Sequence, residues 1–267
     1  MTPRAVLVTG AAGEIGRALR AGLRGRYAHL RLSDLAPMDP AGPGEEVVQA
    51  DVTDRRAVGA LVEGIDAIVH LAGIACEHTW ERIAAVNIGG TAHVFEAARE
   101  AGVRRVLFAS SVHAVGFCPR AERVGPSTPT RPDTYYGVSK VAGEALGRLF
   151  HDKHGMEVAC LRICSYQERP RERRHLSTWL SPGDMVRLVT ACLDAPVLGF
   201  RILAGTSRNT RRWMTDEGWA EVGYDPRDDA EVWAAEVEHI HGPDGDITET
   251  TQGGFFTAPD FKGLAGR

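Results

Sequence analysis

The sequence predicts an α/β fold with a doubly wound parallel sheet and a small, irregular substrate-binding portion toward its C-terminal end. Three observations lead there. Short apolar runs stop abruptly at Gly, Asp or Ser, as buried parallel strands do. Segments with apolar residues three and four apart alternate with those runs, as crossover helices do. A glycine-rich turn joins the first run to the first helical segment.

Ala5 to Val8, ended by Thr9 and Gly10, reads as a buried strand, and Ile15, Leu19 and Leu23 share one face of a helix over 15–23. Leu30 to Leu32 ending at Asp34, and Val47-Val48 ending at Asp51, give the second and third strands. Residues 66–71 form the fourth and 105–109 the fifth. Between them, Trp80, Ile83, Val86, Val94, Phe95 and Ala98 predict a long helix over 79–101. A further helix covers 137–151, and Val158 to Ile163 is the sixth strand. Beyond Cys164 the regularity falls away: 165–182 reads as loop, 183–194 as helix, 201–203 as a late strand, and the chain from Pro243 as irregular. No long linker or repeat intervenes, so one domain is expected over 1–267, with a regular core in 1–164 and mostly substrate-side elements in 165–267.

Composition narrows the function. A formal charge of −4 over 267 residues supplies no field for gripping nucleic acid or an anionic membrane, so neither is expected as a partner. Five scattered cysteines without a C-x-x-C pair indicate neither a zinc site nor a disulfide framework, and they suit a reducing cytoplasm. No charged-then-apolar leader opens the chain and no apolar run reaches membrane-spanning length, so a cytoplasmic location is expected. His239 and His241 with Asp244 and Asp246 lack a convincing third-ligand spacing, and no metal is expected. Only three of the 31 basic residues are lysine, which makes Lys140 worth weighing.

In open sheets of this kind, ligands sit beyond the carboxyl ends of the strands. Gly10, Gly13 and Gly16 follow the first strand and open the first helix, a G-x-x-G-x-x-G turn spanning Glu14 and Ile15. Such a turn lets backbone approach a pyrophosphate and aims unpaired helix-start amides at it, the Rossmann-type arrangement. Asp34, ending the second strand, can accept from both ribose hydroxyls and would repel a 2′-phosphate, which favours NAD over NADP. Asp51 and Val52 after the third strand could edge the adenine.

Tyr136 and Lys140, four apart at a helix start, share one face. A free phenol is a poor base at neutral pH, and a nearby ammonium would bring it toward working range. Ser111, near the end of the fifth strand, puts a hydroxyl where a substrate oxygen could be held.

Together, the Gly10 to Gly16 turn, His70 to Gly73, Asn87 to Thr91, Ser110-Ser111 followed by Gly116, and the Tyr136/Lys140 pair resemble the extended short-chain dehydrogenase/reductase family. That likeness covers roughly the first 165 residues. Further segments are similar to the family's uronate dehydrogenase branch and extend it over nearly the whole chain: Asp34 to Pro43, Ala109 to His113, Glu122 to Pro126, Leu176 to Trp179, Ala195 to Gly199 and Gln252 to Gly254. The resemblance implies NAD-dependent oxidation of a sugar acid of the galacturonate or glucuronate type at C1, giving an aldarolactone. It implies Tyr136 as general base, Lys140 on the ribose and Ser111 on the reacting oxygen. Leu71, Ala72, Gly73, Asn87 and Ile163 would join the coenzyme contacts, and Ala75, Val112, His113, Ser165 and Arg174 would line the sugar, with Arg174 on its carboxylate. Pairing of two chains through the long helices flanking the sheet is implied in the same way.

Ala75 and Val112 depart from the branch, which usually carries serine and asparagine there; two polar contacts to sugar hydroxyls would be lost and the preferred acid could shift. Two other readings stay open, a sugar epimerase or dehydratase that returns the hydride to its substrate and a dinucleotide sensor without catalysis.

Overall fold

A computed structural model describes residues 3–241 and 246–263. Its strands are β1 (Ala5–Thr9), β2 (His29–Asp34), β3 (Glu45–Gln49), β4 (Ala67–His70), β5 (Arg105–Ser111), β6 (Glu157–Ile163), β7 (Ser165–Tyr166), β8 (Trp179–Leu180) and β9 (Phe200–Gly205). Seven of them form one sheet in the order β3-β2-β1-β4-β5-β6-β9, with every neighbouring pair parallel. The strand order reverses between β1 and β4, and that switch point fixes where a ligand can enter.

The helices are α1 (Glu14–Leu23), α2 (Arg55–Leu61), α3 (Trp80–Ile83), α4 (Gly90–Glu100), α5 (Tyr135–His154), α6 (His175–Thr178), α7 (Pro182–Asp194), α8 (Trp219–Val222), α9 (Ala234–Val237) and α10 (Asp246–Thr250). They sandwich the sheet. Val6 and Val8 of β1 pack with Leu19, Leu23, Leu188 and Cys192 on the α1 and α7 side. Leu7, between them, packs with Val58, Val94, Phe95 and Phe150 on the α2, α4 and α5 side. Both faces of the strand are therefore buried, which is why its sequence reads as continuous rather than alternating.

Three expectations need correction. The segment 165–182 is not all loop: Ser165 and Tyr166 pair with Trp179 and Leu180, and α6 lies between. The long helix over 79–101 is interrupted by a π-helical turn, Ala84–Gly89, whose extra residue rotates Asn87 inward. The sequence reading also passes over α2, whose signal is local, since the Asp54 side chain accepts from the amides of Arg56 and Ala57. Of the tail from Pro243, residues 246–263 carry α10 and a 3₁₀ turn, Gly254–Thr257; positions 243–245 and 264–267 lie outside the described residues. Among the described residues no helix is long and apolar enough to cross a membrane.

His70 closes β4 at the switch point, fully buried between the hydroxyls of Thr9 (2.8 Å) and Thr91 (3.1 Å). Burial, reinforced by the Lys140 charge, pushes it down to about 3. His175 is pushed down to about 3 by burial and by Arg174 and Arg171. Both stay neutral in the folded protein while the unfolded chain takes up protons below the ordinary imidazole value of 6.5. Their stabilising contribution is complete above that value and is lost as pH falls toward 3. A falling melting temperature is therefore expected between about pH 6.5 and 5, before carboxylates titrate. A flat profile over that interval in differential scanning fluorimetry would contradict the assignment.

Candidate active site

A cleft of about 690 Å³ opens beyond the carboxyl ends of β1, β2, β4, β5 and β6. Its β1 end is set by the glycine turn. Gly10 takes φ +72, and a Cβ on Gly16 would lie 2.5 Å from Ala11 Cα and from the Gly10 carbonyl oxygen, so the third position admits no side chain. The N–H of Arg17 donates to the Gly13 carbonyl, and the preceding amides of Glu14, Ile15 and Gly16 open onto the cleft as unused donors of the first helical turn. Gly13, the N-cap, leaves that end of α1 uncovered. Asp34 lines the next stretch; its two carboxylate oxygens accept from the Ala12 and Ala36 amides at 2.9 Å, which fixes the group while leaving lone pairs for diol hydroxyls. Asp51 and Val52 form the far edge, and Leu71, Ala72, Gly73 and Ala75 the wall after β4. These groups fit a dinucleotide with its pyrophosphate at the start of α1 and its adenosine ribose at Asp34.

The chemical end lies at β5, β6 and α5. Thr134 caps α5 by accepting from the Gly137 amide, while the Glu77 carboxylate accepts from the amides of Tyr135 (3.2 Å) and Tyr136 (2.9 Å). This double capping fixes the helix start and with it the direction of Tyr136. Tyr136 and Lys140 lie on the buried face and line the cleft with Ser111, His113 and Ile163. Lys140 Nζ donates to the Ala109 carbonyl at 2.8 Å and sits 5.2 Å from the Tyr136 ring centroid. Burial pushes the phenol up to about 12, with the neighbouring Ser111 hydroxyl pulling it down; the Asp133 carboxylate and Cys76 add to the rise. Burial also pushes the Lys140 ammonium down to about 8. Desolvation thus sets the direction for the phenol, the reverse of what the Tyr–Lys spacing alone predicts.

Four candidate residues do not reach the cleft wall. Asn87 is spent on structure: Oδ1 accepts from the Ile74 amide at 2.8 Å, and Nδ2 donates to the Ile74 carbonyl (2.9 Å) and Ser139 (3.1 Å). Its effect is to hold the Gly73 to Ala75 loop against α5. Val112 begins a 3₁₀ turn, Val112–Val115, and packs into the core, because a tight turn separates its direction from those of Ser111 and His113. Ser165 pairs its hydroxyl with Thr178 at 2.8 Å and accepts from Arg174 Nη1 at 2.9 Å. Arg174 is half-buried, donates through Nη2 to the Gln252 carbonyl, and leaves an enclosed Nε without a partner. It borders a separate cavity of about 400 Å³ instead, together with Arg120, Arg173, Arg211 and Trp213.

The sequence reading misses Asp133, 2.7 Å from His113 Nδ1, and Phe256, stacked on the His113 ring at 3.9 Å. Asp133 directly precedes the α5 cap and looks like ordinary helix-start chemistry; Phe256 lies in the tail and carries no local signal. The tail is anchored beside the site by the Gln252 and Gly253 amides, which donate to the carbonyls of Cys118 (2.9 Å) and Gly116 (2.8 Å). Among the described residues no group of three His, Cys, Asp or Glu side chains could hold a metal; Asp244 lies outside them.

The NAD dependent epimerase/dehydratase family matches residues 6–196. The chain is 45% identical over 253 residues to uronate dehydrogenase of Pseudomonas putida, with 94% of each chain covered. It is 46% identical over 260 residues to uronate dehydrogenase of Agrobacterium fabrum, covering 96% of this chain and 98% of the other. A solved mutant of uronate dehydrogenase from Agrobacterium tumefaciens, complexed with NAD, has the same fold with a TM-score of 0.92 at 44% identity, over 97% of this chain and 99% of that one.

Proposed function

Because the chain belongs to the NAD dependent epimerase/dehydratase family, we propose that it oxidises a free hexuronic acid, galacturonate or glucuronate in type, at C1 to an aldarolactone. The observation that carries this reading is the buried Tyr136 phenol, lining a dinucleotide-sized cleft together with Ser111 and with Lys140 Nζ 5.2 Å from its ring centroid. The likeness to uronate dehydrogenases over nearly the full length supports the choice of substrate.

When bound, NAD supplies the acceptor for the hydride leaving C1, together with the positive charge of its nicotinamide. The protein's own groups handle the proton and the position of the sugar. Tyr136 Oη takes the C1 hydroxyl proton as the C1–H bond breaks, and the C1=O bond of the lactone forms from the electrons of that O–H bond. Ser111 holds the same oxygen from the other side, which keeps it within reach of the phenol. Lys140, fixed on the Ala109 carbonyl, stabilises the phenolate form of Tyr136 that takes this proton.

The carboxylate of the acid is assigned to Arg174. Its guanidinium is half-buried, with Nε enclosed and without a hydrogen-bond partner among the described residues, although enclosed charges are ordinarily paired. Ser165, which it grips, adjoins Cys164 on the cleft wall. A uronate carboxylate reaching past Ser165 would supply the missing counter-charge.

A screen of galacturonate, glucuronate, glucose and galactose with NAD and NADP tests the proposal. NADH is expected to accumulate with the uronates and NAD, with neutral hexoses slower by roughly tenfold or more. Equal rates on glucose and glucuronate would remove the Arg174 assignment. Conversion of sugar without net NADH would mean that the hydride returns to the substrate, and the dehydrogenase reading would fall.

A further inference from the structure

We propose that Asp133 is a positioning residue for sugar recognition: it fixes His113 as the neutral Nδ1–H tautomer, so that Nε2 stands in the cleft as an acceptor for a sugar hydroxyl. This rests on the uronic-acid reading above and adds to it a buried residue outside the cleft wall.

The geometry leaves the imidazole little choice. The Asp133 side chain is fully buried, with Oδ2 2.7 Å from His113 Nδ1 and Oδ1 accepting from the Thr134 hydroxyl at 2.9 Å. An ionised carboxylate only accepts, so Nδ1 must carry the proton. In a neutral ring Nε2 is then the acceptor, on the side of the imidazole away from Asp133. Nε2 has no hydrogen bond to protein among the described residues, while His113 lines the cleft. Phe256 stacks on one face of the ring with an interplanar angle of 24°, and the Tyr136 ring meets it edge-on at 5.7 Å, so its orientation is held from three directions.

The space for Asp133 is built in. A Cβ on Gly116 would come 1.8 Å from Asp133 Oδ2, and one on Gly253 2.1 Å, so two bare positions from distant parts of the chain accommodate this one carboxylate. Ala75 turns only a methyl group to the same cleft, and Val112 faces the core. An acceptor at His113 Nε2 therefore does recognition work that neighbouring side chains leave undone. Asp133 touches neither the cleft nor the reacting atoms, and its carboxylate raises the Tyr136 phenol rather than assisting it. Its contribution goes through the imidazole.

Nitrogen-15 spectra of histidine-labelled protein, with the signal assigned by His113→Gln, read the tautomer directly and require no sugar. A protonated Nδ1 and bare Nε2 are expected in the wild-type protein. Asp133→Asn, whose amide can donate as well as accept, is expected to move proton density to Nε2 and to raise KM for the sugar acid roughly tenfold, the worth of one hydrogen bond. KM for NAD should stay within about twofold and kcat should not fall, since loss of the carboxylate eases the Tyr136 phenol downward; general loosening of the site would not produce that split. A wild-type spectrum with the proton on Nε2 overturns the proposal even if the variant fails to fold, and so does an Asp133→Asn protein with unchanged tautomer and KM. Absence of NADH from every sugar acid would instead sink the uronic-acid reading, and the sugar hydroxyl as occupant with it, while the spectrum still reports what Asp133 does to the ring.

Discussion

Replacing Tyr136 by Phe is expected to lower kcat by roughly two to four orders of magnitude, the span that positioned general bases contribute. The change removes one oxygen and leaves the ring where it is. The edge contact with His113, the approach of Lys140 to the ring face and the capping of α5 by Glu77 and Thr134 involve no phenolic hydroxyl. NAD should therefore bind the variant within about twofold of wild-type affinity, as measured by fluorescence titration, because the pyrophosphate and ribose contacts lie at the other end of the cleft. A variant that keeps a tenth or more of wild-type turnover would show that another group takes the proton. Buried Lys140 does not substitute as it stands: pushed down only to about 8, it is mostly an ammonium at neutral pH, with no lone pair to take the proton.

The second large effect falls on coenzyme binding. Gly16→Ala places a carbon 2.5 Å from Ala11 Cα and the Gly10 carbonyl oxygen, both backbone atoms of the turn that receives the pyrophosphate. Neither can rotate aside, so α1 must move off β1 or the turn must open. Overpacking of this kind costs about 1–3 kcal/mol in stability. The helix-start amides are displaced together with α1, and the NAD dissociation constant is expected to rise by roughly tenfold or more. Gly59→Ala in α2 is the control: the added carbon meets nothing within 4 Å, and the exchange is expected to stabilise by up to about 1 kcal/mol. Urea denaturation and NAD titration of the two variants should move apart. Equal behaviour would mean that the turn deforms freely and that its glycines do not govern coenzyme affinity.

What could be read from the chain depended on whether the relevant neighbours were close in sequence. The Tyr136/Lys140 pair is legible because helical spacing alone puts both on one face, and the strand-end positions of Asp34 and Ser111 follow from where apolar runs stop. The strength of the phenol is not legible in the same way. It depends on desolvation by the fold around it, and this reverses the direction expected from the lysine. The bonds of Asn87 are not legible because a motif does not reveal that a π-helical turn aims the amide at the Ile74 backbone. The direction of Val112 is not legible because adjacency to Ser111 and His113 suggests a shared direction that a 3₁₀ turn does not preserve. Asp133 and Phe256 reach His113 from 20 residues and well over a hundred residues away, and no local pattern could report either contact.

The strap formed by Gln252 to Phe256 touches Arg174, the bed of Asp133 and the His113 ring, yet contributes nothing to the wall around the glycine turn or Asp34. The coenzyme end and the His113 side of the cleft are thereby bordered by separable stretches of polypeptide. Grafting that short strap between relatives offers a route to new preferences in which the electron-transfer half is inherited unchanged.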